Sequence, residues 1–237
     1  MVRTPFVRLR PLLSGCLICF LLGLSAPSLS ASLDTLSSKD AAGGLRAALS
    51  QGVDTAVAQL GVPGGFLKDP RVTIPLPPAL DKADRGLRMI GMGADADALK
   101  TTMNHAAELA VADAKPVFKR ALQHMTITDA KRILTGGEDA GTQYFRSATS
   151  AELAAQFKPV VARETAKLKL ASRYDEYAGK AAGLGLIKKE DANLDDYVTA
   201  KALDGLFSRI ADEERAIRKD PLGQASALVK KVFEAVR

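Results

Sequence analysis

Apolar residues recur three and four positions apart in segment after segment of this chain, and glycine or proline separates one segment from the next. That spacing puts the apolar side chains on one face of a helix, so it restricts the fold to stacked amphipathic helices. The stretch after Asn193 is the clearest case. Asn193 is a cap, Asp195 and Asp196 suit the positive end of a helix, and Leu203, Leu206, Phe207, Ile210 and Ile217 form an apolar stripe. Arg215, Arg218 and Lys219 then suit the negative end before Pro221. Cap, acids, stripe, bases and terminator all agree.

The same signals predict helices elsewhere. From Ser37 or Ser38 a helix carries Leu45, Leu49, Val53, Val57 and Leu60 on one face, stopping at Gly61; Gly43 and Gly44 require a close neighbour or a later start. Further helices are expected over Ala79–Ile90, Ala94–Val111, Lys115–His124, Asp129–Leu134 capped by Thr128, and Glu138–Arg146. Thr149-Ser150-Ala151-Glu152 reads as a capping box opening another helix, kinked or restarted at Pro159 and continuing towards Lys169. Arg173–Ala182, the helix after Asn193 and an amphipathic Leu222–Val236 complete the series. Between the first two helices, Gly61–Pro78 holds five prolines and cannot be helical. Its Val72–Leu76 part suits an edge strand or a polyproline-II segment. Phe66, Leu67, Val72, Ile74 and Leu76 are too apolar for a free linker and predict an arm pinned over the body. The expected fold is therefore all-α, a single multi-helix bundle with one proline-rich irregular arm.

The first 31 residues read differently. Arg3, Arg8 and Arg10 precede an almost wholly apolar Leu12–Leu24, followed by small and polar residues to Ala31. This is the order of a secretory signal peptide, and its apolar core is shorter than the roughly 18 residues that span a bilayer. Cleavage is expected after Ala31 or Ser30, which leaves residues 32–237 as one helical domain in the periplasm. Leu13-Ser14-Gly15-Cys16 matches a lipobox. A lipobox closes an apolar core, however, whereas here the longer apolar run follows Cys16, so a lipid anchor at Cys16 is the weaker alternative. Both cysteines, Cys16 and Cys19, lie in the leader, so a mature chain has no thiol for disulfides, catalysis or zinc.

Formal net charge is +6, of which the leader arginines supply three. The remaining balance is too mild and too dispersed for nucleic acid, and it permits peripheral contact with anionic lipid.

Candidate chemistry is sparse. His105 and Glu108 share a helix face, and with His124 and Asp113 they supply metal-ligand types, but no recognised metal motif is present. No metal or cofactor is expected. Asp212, Glu213 and Glu214 are adjacent and diverge around their helix, as do Asp195 and Asp196. Gly136-Gly137 and Gly183-Leu184-Gly185-Leu186 suit helix ends better than phosphate loops. The densest polar-aromatic group is Thr142, Gln143, Tyr144, Arg146 and Thr149 beside Gly136-Gly137, with Asn104 and Thr101/Thr102 as buried contacts to the same region. Phe66, Ile74, Asn104, Gln143, Tyr144 and Arg146 are the candidate ligand- or partner-binding residues.

Several segments together resemble a known family. They are the Gly-Leu-x-x-Ala-Leu core before Leu60, Gly64-Gly65-Phe66-Leu67-Lys68-Asp69-Pro70-Arg71-Val72-Thr73-Ile74-Pro75-Leu76-Pro77, and Thr101-Thr102-Met103-Asn104. Met125–Leu134, Gly136-Gly137 with Thr142-Gln143-Tyr144-Phe145, and Lys201–Phe207 complete the set. Over about residues 36–233 the chain resembles the exported bacterial family called domain of unknown function 4197. The resemblance implies an exported, mainly helical, single-domain envelope protein, and it brings no catalytic residue. The family pattern has arginine where this chain has His105, which further weakens a metal site.

Three functional readings fit. The leading one is a non-enzymatic envelope protein that binds an unidentified partner or ligand through the Phe66–Pro78 arm and the Gln143–Arg146 cluster. The second is a cell-envelope hydrolase using Glu138 and Asp139 with Tyr144 and Arg146. The third is a carrier of apolar ligands.

Overall fold

The computed structural model describes residues 38–89, 91, 93–183 and 192–220. The leader with Cys16, the capping position Ser37, Gly185 and the expected helix over Leu222–Val236 lie outside the described residues. The described residues form helices α1 (Ser38–Leu60), α2 (Pro78–Met89), α3 (Gly93–Ala112), α4 (Lys115–His124), α5 (Ile127–Leu134), α6 (Ala140–Thr165), α7 (Lys169–Gly183) and α8 (Leu194–Lys219). The all-α architecture is as expected, and no strand occurs among the described residues.

Helix α8 is the central rod, packed against α1, α3 and α6. Its apolar stripe is buried as the spacing requires, and Asn193 Oδ1 accepts a 3.0 Å bond from the Asp196 amide at its start. The α1 stripe from Leu45 to Leu60 is equally buried; this helix starts at Ser38 and runs through Gly43 and Gly44. Three rings lock α4, α6 and α8 together. Phe118 meets Phe145 edge-on at 5.0 Å and Phe207 edge-on at 6.1 Å. Burying each ring contributes roughly 1.5–3 kcal/mol, and each edge-to-face pair adds about 0.5–1.5 kcal/mol.

Two local expectations are corrected. Thr126, not Thr128, caps α5: its Oγ1 accepts from the Asp129 amide at 3.0 Å while the Asp129 carboxylate accepts from the Thr126 amide at 3.1 Å. Only Thr126 stands three residues before Asp129, the spacing that allows this reciprocal pair.

The Thr149–Glu152 box opens no helix, because α6 runs unbroken through it. Thr149 is buried in the stripe Phe145, Thr149, Leu153, Phe157, Val161, and its hydroxyl donates back to the Phe145 carbonyl at 2.7 Å. Ser150 donates back to the Arg146 carbonyl in the same way. Pro159 is tolerated within α6 on its exposed face, and the helix ends at Thr165 rather than near Lys169.

Candidate functional site

The arm between α1 and α2 is where buried polar side chains concentrate their bonds on the backbone of a loop. Turns carry it from Gly61 to Thr73, with the Gly65 amide donating to the Val62 carbonyl and the Thr73 amide to the Asp69 carbonyl. Gly64 makes one of these turns at a φ of +86°, a conformation that costs little without a Cβ. Extended backbone then leads to Pro78.

The inward face of the arm is apolar. Phe66 and Ile74 are 0% and 1% exposed, and Val72 and Leu76 are also buried. Phe66 sits so close to α8 that a Cβ on Gly205 would stand 2.7 Å from its ring, so glycine at 205 makes the seat.

Helix α3 supplies the polar clamps. The Asn104 side-chain amide bonds both ways to Ile74: its Oδ1 accepts from the Ile74 amide at 2.8 Å, and its Nδ2 donates to the Ile74 carbonyl at 2.9 Å. A planar carboxamide reproduces the pairing that a neighbouring strand would give, which explains how the extended segment persists without a strand. One turn further on, Glu108 Oε1 accepts from the Phe66 amide at 3.1 Å and the Leu67 amide at 3.3 Å. Tyr197 of α8 donates to the Pro75 carbonyl. Thus the main-chain groups of Phe66, Leu67, Ile74 and Pro75 named here are satisfied by side chains of the body.

Ion pairs fasten its outer side. Asp69 receives Arg71 in a fork, at 3.2 Å from Nε and 3.1 Å from Nη2, and is also paired with Arg209 of α8. The hydrogen bonds from Arg71, and then the Arg209 charge, hold the Asp69 carboxyl below its ordinary pKa. Arg71 reaches on to Asp212 at 3.2 Å. Val62 and Leu67 point outward, 47% and 37% exposed.

A cleft of about 430 Å³ lies where α5 meets α6. It gathers Gln143 and Tyr144 beside Gly136 and Gly137, as the sequence cluster suggests, and adds Arg132 and Asp139. Gln143 donates to Asp139 at 3.1 Å, and the Tyr144 hydroxyl donates to the Ala121 carbonyl at 2.8 Å. Burial, with the Asp129 charge behind it, pushes the Tyr144 hydroxyl pKa above its ordinary value. A neutral phenol already committed to a carbonyl is a positioning group rather than an acid or base.

The remaining expected site residues are elsewhere. Arg146 lies about 200° around α6 from Tyr144, where it pairs with Asp204 at 3.1 Å and lies 4.6 Å over the Phe207 ring. Asn104 serves the arm and not the α6 cluster. Thr142 is buried at the N-terminus of α6, where Glu214 accepts from the Gly141 amide, the Thr142 amide and the Thr142 hydroxyl at 2.8–2.9 Å. Asp139 and Tyr144 therefore share the α5–α6 cleft, and Arg146 stands apart from them.

Glu108 faces His105 Nδ1 at 3.5 Å, but its carboxylate is committed to the arm. Among the described residues, no three or more His, Cys, Asp or Glu side chains are grouped to hold a metal ion, and no helix is long and apolar enough to cross a membrane. The residues that sequence reasoning missed are Glu214 and the pair Asp69–Arg209. All join segments far apart in the chain, and their only local signal was an acid or base on an otherwise buried helix face or turn.

The chain matches, over residues 35–234, the family described as protein of unknown function, DUF4197. It belongs to that family. No curated protein and no solved structure matches it.

Proposed function

We propose that this is an exported, non-enzymatic binding protein of the bacterial envelope, and that the outer face of the proline-rich arm is its principal contact surface. One observation carries this reading. Two buried polar side chains of α3, Asn104 and Glu108, are spent on fixing a surface loop whose outward residues Val62, Leu67, Lys68 and Arg71 stay exposed. A long loop held rigid on a helical scaffold is the usual carrier of recognition. Phe66 and Ile74 act in this reading from beneath, by setting the shape of the arm. The α5–α6 cleft, with Gln143 and Tyr144, is a secondary surface for a small polar ligand.

Export rests on the basic, apolar, small-residue order of residues 1–31 and on the resemblance to an exported family. The separation of Arg146 from Asp139 and Tyr144 weighs against the hydrolase. The α5–α6 cleft is not the enclosed apolar cavity that a carrier of apolar ligands needs.

A photo-crosslinking residue placed at Leu67 in living cells tests the reading. The expected result is a discrete adduct on leader-free protein, absent when the probe stands at Ala155 on the exposed side of α6. Equal labelling from both positions, or full-length chain retained in the cytosol, counts against it.

A further inference from the structure

The outer face of the arm carries more positive charge, and more donor capacity, than its own acids use. Arg71, Arg209 and Arg215 share Asp69 and Asp212, and Lys68 has no partner among the described residues. The neighbouring Glu213 accepts from Gln59 at 3.4 Å. Four cations thus face three carboxylates.

Arg209 is held at the edge of the cleft. Its side chain is 13% exposed, and its Nη1 lies a long 3.8 Å from Asp212, so that end of the guanidinium is only loosely engaged. Arg209, Arg71 and Lys68 line one open cleft of about 520 Å³ over the Gly64-Gly65 turn, where the Lys68 stem lies across Gly64.

We propose that this cleft is a phosphate-recognition site in which Lys68, Arg71 and Arg209 hold a phosphate group, either free or in an anionic lipid headgroup. The proposal rests on the arm being the contact surface and names the chemistry that surface takes. Asp69 does not oppose it. Its two oxygens are occupied by Arg71 and Arg209, so it holds both guanidinium groups at the cleft that they line. A planar carboxylate is satisfied by a single guanidinium fork. A phosphate presents oxygens in three dimensions and carries up to two charges, which matches two guanidinium groups and an ammonium arriving from separate backbone positions. The exposed Val62 flanks the cleft and leaves room for an apolar body attached to the phosphate.

The test uses the whole mature chain in two arms: calorimetric titration with inorganic phosphate, and co-sedimentation with phosphatidylglycerol vesicles against phosphatidylcholine vesicles. The double variant Lys68→Gln, Arg71→Gln changes exposed residues only and is checked by circular dichroism. The charge-matched control is Lys119→Gln, Arg120→Gln on α4. Saturable binding in either arm, weakened about tenfold or more by the arm variant and not by the α4 variant, supports the proposal. The arm that responds tells free phosphate from headgroup.

Absence of saturable binding in both arms overturns it, and so does equal weakening by the two variants. A Leu67 crosslink that persists in the Lys68→Gln, Arg71→Gln chain would leave the arm as a contact surface while phosphate recognition fails.

Discussion

Asn104 shows how much of this molecule turns on single polar residues. Its carboxamide is fully buried and makes bonds to Ile74 on one side and to the Lys100 carbonyl, at 2.8 Å, on the other. Asn104→Ala would leave the Ile74 amide and carbonyl buried without partners. Each orphaned group costs about 1–3 kcal/mol, so a loss of roughly 2–4 kcal/mol is expected in urea unfolding. Hydrogen exchange should speed up first at Ile74 and its neighbours, because the clamp acts there. An unchanged unfolding midpoint would show that the arm's backbone finds other partners. Nothing in the local sequence marks Asn104 as a clamp: it sits on a helix among alanines, and its partner is thirty residues away. Glu108 is similar. Its spacing from His105 showed only a shared helix face of metal-ligand types, whereas the fold brings Phe66 and Leu67 to it from the arm between α1 and α2. Pairings of this range depend on which loop lands on which helix, and periodicity carries no such information.

At the scale of elements, periodicity was a good guide. The stripes of α1 and α8 are buried where the spacing puts them, because a helix face needs only its own residues to be defined. Errors fell at boundaries, where several residues compete for one role. Thr149 looks like a cap in isolation, yet it stands four residues after Phe145 and four before Leu153, so the buried stripe passes through it and the helix continues. Tyr144 and Arg146 are neighbours in sequence, yet two residues along a helix is nearly opposite around it.

The α5 boundary can be tested directly. Thr126→Ala removes the hydroxyl that accepts from the Asp129 amide and should cost about 1 kcal/mol, with a matching fall in the thermal midpoint. Thr128→Ala, at an exposed position outside that reciprocal pair, should stay within about 0.5 kcal/mol. Reversed ranking of the two variants would place the helix start at Thr128 after all.

Among the described residues, hydrogen bonding lowers the pKa of four acids and burial raises that of Asp175. Asp69, Asp97, Asp129 and Glu164 all titrate below their ordinary values, chiefly through side-chain hydrogen bonds from Arg71, Arg88, Thr126 and Lys167 respectively. A lowered carboxylate pKa means that the unfolded chain takes up the proton first. The stability these four contribute is therefore present above the unfolded pKa and fades as pH falls through the folded one.

Asp175 runs the other way. It joins α7 to the start of α8 by accepting from the Leu194 amide at 2.7 Å, and burial first, then Asp195 and Asp196, raise its pKa. Here the folded chain takes up the proton first, so the ionised carboxylate is a net cost at neutral pH and the cost disappears below the unfolded pKa. Asp175→Asn keeps an oxygen for the Leu194 amide and removes the charge. Urea unfolding at pH 7 should find the variant more stable than the parent, and the gap should close as pH is lowered to about 3, below the ordinary carboxylate value. A gap that widens on acidification, or a variant less stable at pH 7, would mean that the ionised Asp175 cap outweighs its burial and the neighbouring charges at the α7–α8 junction.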